Sequence, residues 1–226
     1  MIEAVLFDFN GVIADDEEQH REALGGVLAE QGLPLTREQY YSDFLGFDDR
    51  RCLIEAFQRA GRRLPANQLE QLLAAKSRIY QRLIDRSLAL VPGAAEFVPR
   101  AAGRFRLGVV SGALRREVDL VLDRAGLRRH FDVLVAAEDV ARCKPDPAGY
   151  LAAHAALDRR RPLPVGHCVV VEDSLPGLGA ARAAGMPCAM LTTSHPSSAL
   201  AEAGADVVWT SFAGHDPAEL LALVDR

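Results

Sequence analysis

Four kinds of side chain in this sequence could do chemistry together. Asp8 follows the apolar run Ala4, Val5, Leu6, Phe7. Ser111 follows Leu107 to Val110, and Glu172 and Asp173 follow Cys168 to Val171. Lys144 lies in the loop Arg142, Cys143, Lys144, Pro145, Asp146, Pro147, pinned by its prolines. Such runs suit strands buried on both faces of a parallel sheet, whose carboxyl ends border one crevice. Taken alone, Asp8 with Gly11 behind it is either a nucleophile or metal ligand, or a solvated acid in a strand-to-loop turn. Carboxylates gathered at those ends repel one another unless a hard cation stands between them. A small set of oxygen ligands suits Mg²⁺, which keeps several waters and shares a phosphate with its site. One lysine and one hydroxyl then supply charge and a donor for phosphoryl oxygens. Only two of the 26 basic residues are lysines, Lys76 and Lys144. In a chain that so favours arginine, a lysine in this tight loop points to a need for a compact point charge.

The elements that must position these groups alternate. After Asp15 the pattern is helical as far as Ser87. Glu17 to Gln31 carries Ala23, Leu24, Val27 and Leu28 on one face and is closed by Gly32. Thr36 with Gln39 is a capping-box signature. Asp48 to Ala60 is a further helix, and Pro65 precedes a long one, Ala66 to Arg86, whose stripe is Leu69, Leu72, Leu73, Ile79, Tyr80, Leu83 and Ile84. From Leu90 onward, strands at 107–110, 133–136, 168–171, 188–191 and 206–209 alternate with helical stretches, the last of them Pro217 to Val224. Strands separated by helices call for a parallel sheet with right-handed crossovers. The expected fold is α/β, a doubly wound parallel sheet with a small all-helical insert after its first strand. Residues 1–15 and 88–226 form the core, and 16–87 form a lid over the carboxyl edge of the sheet.

The chain has 226 residues, 49% hydrophobic and 25% charged, with a net charge of −5, as expected for a soluble globular protein. That charge disfavours nucleic acid and anionic membranes as partners. No leader pattern or membrane-length apolar run is seen, so a cytoplasmic location is expected. Cys52, Cys143, Cys168 and Cys188 lie far apart and read as reduced thiols.

DFNGVIADD, VVSG, KPDP and VVVEDSLPGLGAARAAGM, in that order, resemble the haloacid dehalogenase superfamily. The resemblance is to its branch with a helical cap after the first strand, near β-phosphoglucomutase-like phosphatases, and it covers essentially the whole chain. It implies a hydrolase in which Asp8 attacks phosphorus to form an aspartyl-phosphate. Mg²⁺ is bound by Asp8, Asp173 and the main-chain carbonyl of Asn10, with Glu172 in or next to that shell. Ser111 holds the transferring phosphoryl group and Lys144 bridges the nucleophile and phosphate charges, with Gly11 and Gly112 beside them. Asp15 is the acid at the cap hinge, and the resemblance leans to a monomer acting on a small phosphorylated metabolite.

One position departs from the family. Its phosphatases place an aspartate two residues after the nucleophile as general acid and base, and here that residue is Asn10. An amide cannot shuttle a proton at ordinary pH, so weakened turnover is expected unless Glu17, Glu18 or His20 stands in. His20 is read either so, or as a helix-surface histidine. In the cap, Phe47 to Arg51 after Gly46 form the loop suited to reach a substrate. Arg50 there is a phosphate or carboxylate clamp, or else the partner of Asp48 or Asp49. A sugar phosphate mutase is the near alternative, with less to grip a second phosphate because Gly112, Ala113, Leu114 and Arg115 follow the motif serine. A slow or non-catalytic binding relative is the alternative from another class. Lys76, beside Ser77 and Arg78, is expected to be too poorly placed for Schiff-base chemistry.

Overall fold

The computed structural model describes residues 1–45 and 47–223; Gly46 and Val224, named above, lie outside the described residues. The chain divides into two compact units, Met1–Asp15 with Ala89–Arg226, and Asp16–Leu88.

The first unit is built on six parallel strands, β1 (Ala4–Phe7), β2 (Arg106–Val110), β3 (Val133–Val135), β4 (Cys168–Glu172), β5 (Cys188–Leu191) and β6 (Val207–Trp209). Their order is β3-β2-β1-β4-β5-β6. Every residue of β1 is buried, because helices cover both faces of the sheet. Leu6 packs in a core with Tyr150, Leu157, Leu178 and Leu200. Phe7, pointing the other way, meets Phe97, Phe131 and Phe212, with ring centroids 6.0–6.4 Å apart. The strand order reverses between β1 and β4, and a crevice forms outside the carboxyl ends of strands at such a point. Register pairs Phe7 with Val109 of β2 and with Val171 of β4, so Asp8 emerges level with Val110 and Glu172.

Among the described residues, this unit carries the α-helices α5 (Ala94–Ala102), α6 (Arg115–Arg124), α7 (Ala148–Asp158), α8 (Leu175–Ala183) and α9 (Ser197–Glu202). The sequence pattern places most of them within a few residues. It misses α9, which is six residues long, and the last expected helix is a 3-10 turn over Pro217–Leu223. Helix α8 starts at Leu175, because Ser174 accepts the Gly177 amide as N-cap and Pro176 sits in the first turn.

The second unit holds α1 (Glu17–Glu30), α2 (Arg37–Gln39), α3 (Asp49–Arg59) and α4 (Ala66–Arg86). The Thr36 and Gln39 capping box is formed, and the short α2 continues as a π-helical turn over Tyr40–Phe44. Leu24, Leu28, Phe44, Leu53, Phe57, Leu69 and Leu73 share its core. On α4 the buried stripe also includes Lys76 and Ser77, against the sequence expectation. Among the described residues, no helix is long and apolar enough to cross a membrane.

Candidate active site

The turn after β1 fixes the first acid. Phe9 O accepts the amides of Ile13 and Ala14 at 2.8 and 3.0 Å, and the Gly11 amide donates to Ala14 O at 2.8 Å. In a trans peptide the carbonyl opposes the amide, so the Asn10 carbonyl points away from Ala14. Gly11 adopts φ +73°, a left-handed conformation that glycine takes without penalty.

Lys144 reaches across the sheet end. Its Nζ donates to Asp8 Oδ1, to Glu172 Oε1 at 2.6 Å and to Val110 O at 3.1 Å. Its loop contains a cis Lys144–Pro145 peptide. Glu172 is fully committed: Oε1 also accepts from Tyr150 Oη at 2.9 Å. Its Oε2 accepts from the amides of Asp173 and Ser174 and from Ser174 Oγ, at 2.9–3.0 Å. A carboxylate has about four lone-pair sites, so Glu172 anchors Lys144 and the loop after β4. A Cβ on Gly177 would lie 1.8 Å from Glu172 Oε1, and only glycine leaves room for the acid.

Burial pushes the Asp8 carboxyl up to about 7, with Lys144 opposing and Glu172 reinforcing the shift. Burial also acts to raise Glu172, but the Lys144 ammonium and the hydrogen bonds outweigh it and hold the carboxyl below its ordinary value. The same two acids raise Lys144 above its ordinary range in spite of burial. One ammonium therefore serves two carboxylates. Asp8, Glu172 and Asp173 offer oxygens all within 4.8 Å of one another. Three carboxylates against one ammonium leave a net charge of about −2 if all are ionised, the balance a divalent cation restores. The all-oxygen donor set fits a hard metal ion.

The predicted core residues are thus brought to one sheet edge. Ser111, 5% exposed, stands one residue past β2; its Oγ accepts the Ala113 amide at 3.0 Å, with Gly112 between them. His20 and Arg50 belong to the helical unit. His20 is buried on α1, not on the helix surface: Lys76 Nζ lies 2.6 Å from its Nδ1, and Asp16 Oδ2 lies 3.5 Å from Nε2. Among the described residues, Arg50 pairs with Glu70 at 2.7 Å and not with Asp48 or Asp49. Asp48 instead caps α3 by accepting the Arg51 amide. Cys52, Cys168 and Cys188 are buried and Cys143 is half-buried.

Sequence reasoning passed over several participants. Tyr150 and Ser174 hold Glu172, and Ser194 donates to Asp173 Oδ2. Lys76 is fully buried, with Nζ 2.7 Å from Asp49 Oδ2. Its position had a signal, since it continues the spacing 69, 72, 73, 76, 80 on α4.

Comparison with known proteins shows the family. The pattern of the haloacid dehalogenase-like hydrolases matches residues 2–185. The chain is 33% identical over 205 residues to validoxylamine A 7'-phosphate phosphatase of Streptomyces hygroscopicus subsp. limoneus, covering 90% of this chain and 92% of that one. It is 32% identical over 209 residues to a phosphorylated carbohydrates phosphatase of Thermotoga maritima, covering 90% and 92%. Crystal structures of CbbY from Rhodobacter sphaeroides, one with phosphate and one of a mutant with xylulose-(1,5)bisphosphate, superpose with a TM-score of 0.81. They are 32% identical and cover 95% of this chain and 96% of theirs.

Proposed function

Because the chain belongs to the haloacid dehalogenase-like hydrolases, we propose that it is a Mg²⁺-dependent phosphatase of a small phosphorylated carbohydrate, working through an aspartyl-phosphate on Asp8. The substrate class follows from the relatives, among them the phosphorylated carbohydrates phosphatase and the validoxylamine A 7'-phosphate phosphatase. The observation that carries the mechanism is the position of Lys144 Nζ between Asp8 and Glu172 at the strand ends.

An Asp8 carboxylate oxygen forms a bond to phosphorus as the bond to the leaving oxygen breaks, and the electron pair departs with that oxygen. Water then cleaves the acyl phosphate, restoring Asp8 and releasing inorganic phosphate. Lys144 balances the charge of Asp8 and of the phosphoryl oxygens, while the Ser111 hydroxyl and the main chain at Gly112 hold those oxygens. Gly11 acts by its lack of a side chain. Asp8, Asp173 and the Asn10 carbonyl would hold Mg²⁺, with Glu172 beside them, and the ion would neutralise charge on the phosphate.

Asn10 is the weak step. It can hold the leaving oxygen or the water by hydrogen bonds but cannot give or take the proton, a service worth about 10²–10⁴ in rate. The test is a screen of phosphorylated sugars with Mg²⁺, run on the wild type, Asn10→Asp and Asp8→Asn. The expected result is slow release of phosphate by the wild type, a rise of about 10²-fold or more in Asn10→Asp, and none in Asp8→Asn. Asn10 also favours a second reading, a phosphometabolite-binding relative; turnover by Asn10→Asp alone would support it. Wild-type turnover that survives Asp8→Asn would overturn both.

A further inference from the structure

The loop after β5 holds two hydroxyls against the acidic centre. Ser194 Oγ donates to Oδ2 of Asp173, and Thr193 Oγ1 lies 3.3 Å from the same oxygen. Thr193 Oγ1 stands only 2.5 Å from the main-chain oxygen of Gly11. A hydroxyl has one proton to give, and the shorter contact assigns Thr193 to Gly11 and Ser194 to Asp173. Asp173 follows β4 directly, and the two torsions χ1 and χ2 place its carboxylate. A donor fixed on Oδ2 restrains both and with them the position of Oδ1. Thr193, through Gly11, ties the same loop to the turn that orients the Asn10 carbonyl.

We propose that Ser194 and Thr193 are positioning residues for the divalent cation: Ser194 orients the Asp173 carboxylate and Thr193 holds the Asn10–Gly11 turn against it. This rests on the reading that Asp8, Asp173 and the Asn10 carbonyl bind Mg²⁺. Partners that orient ligating groups in this way typically change metal affinity or activity by about 10–100-fold when removed. Neither residue touches the transferring phosphoryl group in the mechanism above, so their loss acts through the metal. Saturating Mg²⁺ should restore most of the turnover.

The experiment is a calorimetric titration of Mg²⁺ alone into the full, metal-free chain, with melting temperatures recorded in parallel. Ser194→Ala should weaken Mg²⁺ binding by at least ~10-fold while the metal-free melting temperature stays close to wild type. Ser194→Thr, which keeps the hydroxyl, should recover most of the affinity. Thr193→Val should weaken binding as well, and Ser198→Ala, on the exposed side of α9, should leave it unchanged. If wild type binds Mg²⁺ and Ser194→Ala binds it equally well, the positioning role is wrong and the metal reading stands. If wild type takes up no Mg²⁺, both are wrong.

Discussion

Gly11 and Asp173 stand so close that a methyl group on the one would overlap the other: an added Cβ would lie 2.1 Å from Oδ2 and 2.7 Å from Cγ of the acid. The two residues are 162 positions apart and meet only because β1 and β4 are neighbours in the sheet. Gly11→Ala therefore carries two costs, the left-handed backbone at φ +73° and the displacement of Asp173. The first alone costs about 1–2 kcal/mol. Denaturant unfolding should show at least that loss, and Mg²⁺ titration should show binding greatly weakened. A Gly11→Ala protein that binds Mg²⁺ like wild type would show that Asp173 is not a ligand.

Lys144 bridges Asp8 and Glu172, with its side chain 16% exposed. Removing one partner of a buried ion pair leaves the other charge unbalanced and typically costs about 3–5 kcal/mol. Here two acids lose their partner in Lys144→Met. The variant should unfold at clearly lower denaturant than wild type near pH 8, and part of the loss should return as the pH falls and Asp8 takes up a proton. Equal stability at all pH values would contradict the charge balance drawn here.

The raised Asp8 carboxyl gives metal binding a pH dependence whose sign is fixed. Burial lifts its folded value to about 7 in the metal-free protein, against about 3.9 for an unfolded aspartate. The folded chain thus holds the proton more tightly, and the metal-free fold loses stability as pH rises between those two values. A metal must displace that proton. Mg²⁺ affinity should rise with pH, by up to about tenfold per unit below 7, and level off above about 8. The Mg²⁺-induced rise in melting temperature should be larger at pH 8 than at pH 5.5. Calorimetry at several pH values measures the slope, and a flat profile would mean Asp8 is already ionised in the metal-free state.

Much of this centre was legible in the sequence because buried parallel strands announce themselves. The runs 4–7, 107–110 and 168–171 before Asp8, Ser111 and Glu172 contain no charged residue, and the acid or hydroxyl that follows each is where the chain leaves the sheet. Thr36 and Gln39 were readable for a similar reason, since a capping box is local chemistry. Ser194 was not readable. It lies in a turn of small polar residues without periodicity, and its partner Asp173 is brought to it only by strand order. Glu172 and Asp173 looked alike as adjacent acids, yet alternation along β4 sends the first into a ring of donors and leaves the second at the strand end. Lys76 fell on the apolar stripe of α4, and its charge outweighed its position in the sequence reading.

That lysine can be tested within the helical unit. Lys76 Nζ lies 2.7 Å from Asp49 Oδ2 and 2.6 Å from His20 Nδ1, and it faces the Tyr80 ring at 4.9 Å. Tyr80 in turn donates to Asp16, which is wholly buried. A lysine without exposure is tolerated when its charge and protons are matched, and here the match comes from α1 and α3, the helices that α4 packs against. Lys76→Met keeps most of the length of the side chain and leaves Asp49 without the ammonium, a change that should cost about 3–5 kcal/mol. Asp49→Leu combined with Lys76→Met removes both charges and should recover most of that loss, because apolar replacements of a buried pair are often neutral or stabilising. Denaturant unfolding of the two single variants and the double variant closes the cycle. Additive losses in the double variant would mean that the two charges do not act on each other.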